Sequence, residues 1–148
     1  AQPDSGIATA GLPASNTSVG RFVRAVYYSE YAQVVDKPDD AVLTLAHIMN
    51  NFDRPKDITI DKSGGGNEGI AVSSAKDAPA FTSEYTSWTA LSDLNRGYVF
   101  LRTYDGMNYT KFDINGLADL TAVTSIPLTT LNGLAGDGTQ ALLAAKAP

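Results

Sequence analysis

The strongest constraint on this chain is a change of hydrophobic period partway along it. Between Val19 and Met49 the apolar residues recur at helical spacing, whereas "SEYTSWTALSDL" and "YVFLRTYD" alternate. A helix repeats every 3.6 residues and a strand every two, so the two blocks cannot be the same kind of element. Helices first and strands afterwards predict an α+β fold, a helical hairpin packed on an antiparallel sheet.

Within the first block, Val19, Phe22, Val23, Val26 and Glu30 fall on one side of the helical wheel, with Arg21, Arg24, Tyr28 and Tyr31 on the other. The spacing predicts a helix from Val19 to Gln33, capped by Ser18, with the valine and phenylalanine stripe turned inward. Pro38 suits the first turn of a second helix, and Asp39 and Asp40 place negative charge at its positive end. Val42, Leu45, Ala46 and Met49 continue at i, i+3, i+4 and i+7 until "NNFDRP", where Pro55 cannot extend a helix.

The second block reads as two strands joined at Asn95-Arg96-Gly97, with Gly97 supplying the positive φ of a short turn, and "NYTKFDI" as a third strand. Trp88 and Leu94 are expected on one face of the first strand; Tyr98, Phe100 and Tyr104 are expected on one face of the next. The chain thus divides into an extended lead-in over residues 1–17, a helical hairpin over 18–53, a Gly- and Ser-rich loop region over 54–83, strands over 84–115 and a tail over 116–148.

A chain of 148 residues with 43% apolar and 18% charged residues can bury one ordinary core, and it contains no internal repeat. The net charge of −5 leaves no basic face for nucleic acid or an anionic membrane. No apolar run is long enough to span a bilayer, and "AQPDSGIATA" lacks the pattern of a signal peptide. The absence of cysteine excludes disulfides, thiolate metal sites and a thiol nucleophile within the chain itself.

Other familiar chemistries fit poorly. His47 is the only histidine and lies off the apolar stripe of its helix, with no serine in a nucleophile elbow to serve. One imidazole with Asp53 or Asp57 makes a poor zinc site, so no metal is expected. "SGGGNEG" lacks the Lys-Ser/Thr ending of a phosphate loop, and "DGMNYTKFD" and "GDG" read as turns rather than calcium loops. No cofactor is expected. Arg21 and Arg24 stand out, because two cations in the first turns of a helix oppose its macrodipole and need compensation. A guanidinium fork at position 21 can reach an anion, a carboxylate or a catalytic group, or form an ordinary ion pair.

Taken together, "GLP" with "SVGRFVRAVYY", then "AVLTLAHIMNNFDRPKDI", then "EYTSWTALSDLNRGYVFLRTYDGMNYTKFDI" resemble, in residues, order and spacing, the C-terminal half of the choloylglycine hydrolase family. These are linear-amide hydrolases that include penicillin V acylases and bile salt hydrolases. The resemblance runs from Gly11 to Leu117 and is most specific at Arg-Phe-Val-Arg after Gly-Leu-Pro and at "YVFLRTYD". It implies part of an αββα sandwich of the N-terminal nucleophile hydrolases. It also implies an N-terminal cysteine that attacks the amide carbonyl, with its own α-amino group managing the proton, and Asn and Asp residues from the first half completing the site.

By the same resemblance, the arginine of the family's Ser-x-Arg-Phe block corresponds to Arg21, the expected catalytic residue. The sequence departs from the pattern at Ala14-Ser15, where the family has Gly-Asp, and at Gly20, where it has serine. Because the chain starts with Ala1 and lacks cysteine, it is expected to be an enzyme only as part of a larger amidohydrolase. Its expected partners are an N-terminal half carrying the nucleophile, as a separate chain or missing segment, and a small-molecule amide; a homo-oligomer and a periplasmic or secreted location are expected as well. The competing expectation is a non-catalytic binding or structural domain that keeps half of the fold.

Overall fold

The computed structural model describes residues 12–13, 15–62, 81–133 and 136–145. In chain order the elements are α1 (Ser18–Tyr31), α2 (Pro38–Asn50), β1 (Thr59–Lys62), β2 (Phe81–Glu84), β3 (Trp88–Asp93), β4 (Tyr98–Thr103), β5 (Thr110–Asp113), β6 (Gly136–Asp137) and α3 (Thr139–Leu143). Short 3-10 turns occupy Asn115–Leu117 and Leu128–Gly133. Two compact units divide the chain: one runs to Phe52 and resumes at Ser87, and the other is Asp53–Thr86.

The larger unit is built on a sheet in the order β3-β4-β5-β6. The first three strands are antiparallel, and two residues of β6 add in parallel to β5. Gly97 turns the chain between β3 and β4 at φ 69°, a backbone conformation that side chains with a Cβ rarely adopt. The turn is held from both sides, since Asn115 Nδ2 donates to the Arg96 carbonyl and the Ile114 N–H donates to the Gly97 carbonyl.

Direct cross-strand partners share a sheet face, so the pairing of Trp88 with Thr103 and of Thr89 with Arg102 fixes which residues look which way. On one face lie Thr89 and Leu91, both buried, and α2 packs against β3. Arg102 Nη1 donates to Asn50 Oδ1 at the end of α2 over 3.1 Å, and Arg96 Nη1 donates to Asp39 Oδ1 at its start over 2.6 Å. Both ends of α2 are therefore tied to the β3-β4 hairpin. Val42, Ala46 and Met49 of the expected stripe are half-buried, while Leu45 is exposed.

Among the described residues, the other face is covered at the β5 side. There Thr110 and Phe112 are buried, and the chain at Gly138 passes so close that a Cβ would lie 2.6 Å from Thr110 Cγ2 and 2.8 Å from Phe112 Cε1. Thr103 Oγ1 meets Asn132 Oδ1 at 2.5 Å, and Leu131 of the same 3-10 turn is buried. Asp137, just before α3, accepts from the Thr139 N–H at 2.8 Å, and the Thr139 hydroxyl together with this bond holds its carboxyl below the usual range. At the β3 side of this face Trp88 is 54% exposed, and Ala90 and Ser92 are exposed too.

Two expectations are corrected. Trp88 does not share a buried face with Leu94, which lies in the turn; Thr89 and Leu91 occupy the covered face instead, because the helix sits on that side. The first helix is also reversed. Val19, Phe22, Val23 and Val26 are all exposed, whereas Gly20 and Arg24 are buried. Its cap is Thr17 rather than Ser18: the Thr17 hydroxyl accepts from the Gly20 N–H at 3.2 Å, and Ser18 is already helical.

In the smaller unit, strands β1 and β2 pair antiparallel, Thr59 opposite Glu84. Arg54 forms an ion pair with Glu84, the Arg54 N–H donates to Thr86 Oγ1, and the Lys56 ammonium lies 4.9 Å from the Tyr85 ring centre. The region over 54–83 expected as a loop therefore contains β1 and most of β2, a correction that follows from the backbone pairing of two segments about twenty residues apart; its glycine-rich centre, Gly64 to Gly66, lies outside the described residues.

Candidate active site

Residues three and four apart on a helix line up on one face, and Arg21, Arg24 and Tyr28 do so on α1. All three converge on Phe52, just beyond α2 and only 6% exposed. The Tyr28 and Phe52 rings meet edge to face at 6.2 Å, and the Tyr28 hydroxyl donates to Asn51 Oδ1 at 3.3 Å. Burying a phenylalanine this fully contributes on the order of 2 kcal/mol. That gain explains why the polar face of α1 turns inward: the partner it needs lies some thirty positions further along the chain.

Arg21 is half-buried. Its Nη1 donates to the Phe52 carbonyl at 3.3 Å, and its guanidinium carbon stands 5.7 Å from the Phe52 ring centre. A guanidinium so placed combines hydrogen bonding with attraction to the negative face of the ring, and it carries a fixed positive charge at any physiological pH.

Arg24 is 6% exposed and lies 5.3 Å from the centre of the same ring. Its Nη1 donates to the carbonyls of Pro13 and Ser15, at 3.0 and 2.9 Å, and its Nη2 donates to Asn16 Oδ1 at 3.4 Å. These acceptors are neutral oxygens of the segment that leads into the helix. They supply the compensation that a cation near a helix start requires, without a carboxylate.

The lead-in crosses the first turn closely enough that a Cβ on residue 20 would lie 2.2 Å from Ser15 Oγ and 2.7 Å from the Ser15 carbonyl oxygen. Glycine at position 20 is thus a packing requirement of this loop. The role of Phe52 as the common platform was not read from the sequence. The one available signal was an aromatic in "NNFDRP", directly after the end of a strong helix.

The remaining candidates do not join this cluster. His47 is exposed in the last turn of α2, where its carbonyl accepts from Asn51 Nδ2 at 3.0 Å. Among the described residues no three His, Cys, Asp or Glu side chains gather in a way that would hold a metal ion, and no helix is long and apolar enough to cross a membrane. Elsewhere, Arg96 Nε donates to Asp93 Oδ2 at 2.6 Å. That bond holds the Asp93 carboxyl below its ordinary range, and the Asp39 and Asp93 carboxylates together raise the Arg96 pKa. This network ties α2 to the hairpin and lies apart from the Phe52 cluster.

Comparison with known proteins adds three findings. The family model of linear amide C–N hydrolases, choloylglycine hydrolase family, matches residues 3–124. An uncharacterised protein of Paramecium bursaria Chlorella virus 1 is 26% identical over 106 residues, which is 72% of this chain and 34% of that protein. The solved structure of penicillin V acylase from Agrobacterium tumefaciens superposes with a TM-score of 0.65 at 21% identity, over 95% of this chain and 39% of that one. The chain therefore spans well under half the length of either relative.

Proposed function

The chain belongs to the choloylglycine hydrolase family of linear amide C–N hydrolases, and from that premise we propose that it is the C-terminal part of an amidohydrolase whose cysteine nucleophile lies in another segment. The observation that carries this reading is the half-open sheet. One face is covered by α2, while the other carries exposed Trp88, Ala90 and Ser92 beside half-buried Val99 and Leu101. A second sheet laid on that face would complete a sandwich and remove apolar surface from water.

In the complete enzyme the reaction is an acyl transfer to sulfur followed by hydrolysis. The thiolate of the N-terminal cysteine attacks the amide carbonyl carbon, and the tetrahedral intermediate collapses with rupture of the C–N bond. The α-amino group of the same cysteine delivers the proton that the departing amine needs. Water then attacks the thioester and releases the carboxylic acid, restoring the thiol. Hydrogen-bond donors from the missing part stabilise the oxyanion.

Arg21 contributes a fixed positive charge beside the sulfur, which lowers the thiol pKa and favours the nucleophilic thiolate. Phe52 and its carbonyl hold that charge in place. The substrate class is a linear amide such as an acyl-penicillin, a conjugated bile acid or an acyl-homoserine lactone, and the location is periplasmic or secreted. Intact-mass analysis of the natural assembly tests the premise: a companion segment beginning with cysteine is expected. A monomer of this chain alone, with Trp88 covered by its own residues, would instead favour a non-catalytic domain.

A further inference from the structure

We propose that Arg24 is the positioning residue for Arg21, acting through the loop that leads into α1 and through the Phe52 ring that both arginines share. This rests on the reading of Arg21 as the charge beside the nucleophile. Three separate contacts press the lead-in against the first turn of α1: the Arg24 fork on Pro13, Ser15 and Asn16, the Thr17 cap, and the close approach of Ser15 to Gly20. Arg21 leaves the helix in that same first turn and reaches Phe52 through its Nη1.

The Arg24 Nε is buried with no hydrogen-bond partner, so the fork makes its bonds to the lead-in through Nη1 and Nη2. What the fork does provide is direction. Its planar geometry engages two backbone carbonyls and one side-chain amide at once, and its guanidinium carbon lies 5.3 Å from the centre of the same Phe52 ring that Arg21 meets at 5.7 Å. The ring that carries Arg21 is thereby also contacted by the residue that fastens the lead-in.

The test reads the fixation of Arg21 in the 148-residue chain, by the order parameter of its Nε–Hε group with ¹⁵N-labelled arginine. In the unaltered chain it is expected near the rigid value of about 0.85, and in Arg24→Met below about 0.6 while the Tyr28–Phe52 ring contact persists. Arg24→Lys is expected to loosen Arg21 too, because an ammonium cannot span the three oxygens in a fixed fork. Gly20→Ala serves where the Arg24 variants do not fold: alanine is the better helix former, yet its Cβ displaces Ser15 and should loosen Arg21 with Arg24 intact.

An Arg21 that stays ordered in a folded variant overturns the proposal. In the complete enzyme, Arg24→Lys is expected to lower kcat about tenfold with KM unchanged and to move the acid limb of the pH profile upward, because a displaced cation lets the thiol pKa rise. A loss of folded protein without a shift of that limb would assign Arg24 a structural role only. An inactive unaltered enzyme would sink the functional reading, and the order parameters would still decide the role of Arg24.

Discussion

Helices α1 and α2 are nearly equal in length, 14 and 13 residues, and both are amphipathic, yet they meet the rest of the protein through opposite kinds of surface. Along α2 the aliphatic stripe turns toward the sheet, with Val42, Ala46 and Met49 half-buried. Along α1 the aliphatic stripe faces outward and Arg21, Arg24 and Tyr28 face Phe52. The hydrophobic pattern of a helix states which side wants cover; it does not state which side is already covered. In α2 the two agree, and in α1 a buried ring together with carbonyl acceptors outweighs the valines.

The largest expected effect separates the two helices directly. Phe52→Ala removes the platform beneath α1 and should destabilise the chain by about 3 kcal/mol in chemical denaturation. A loss near zero would mean that α1 does not depend on that ring. Next comes the cap: Thr17→Ala, which removes the hydroxyl accepting from Gly20, should cost about 1 kcal/mol.

On the α2 side the anchor is electrostatic. The Asp93 pKa lies below its ordinary value in the folded chain, so its contribution is complete above the normal aspartate range and is lost as the pH falls through that range and below it. Asp93→Asn should flatten this acid-side loss, readable as the pH dependence of the denaturation midpoint. The smallest effect belongs to the outward stripe, where Phe22→Ser should change the stability of the chain by no more than about 0.5 kcal/mol, because Phe22 is 68% exposed. A loss comparable to that of Phe52→Ala would restore the inward orientation that the wheel suggested.

The same contrast shows what the sequence makes legible. Local signals identify α2 through Pro38 and its two aspartates, the β3-β4 hairpin through Gly97, and β5 after Asp105-Gly106. Each depends on residues within a few positions of the element itself. The orientation of α1 depends on Phe52 and on carbonyls at 13 and 15, and β6 depends on a two-residue parallel pairing with β5. No short window contains both partners of such contacts. At the candidate site, the importance of Arg21 came from the resemblance of its motif, while the means of holding it needed the fold.

The central claim, that this chain is one part of a cysteine amidohydrolase, is tested most directly by amine release from a linear acyl amide, measured for the chain alone and then joined with a companion segment that begins with cysteine. The account predicts no turnover by the chain alone, turnover by the joined enzyme, and a loss of about a hundredfold or more in kcat on Arg21→Ala. Turnover by the chain alone, or an Arg21→Ala enzyme as fast as the unaltered one, would contradict it.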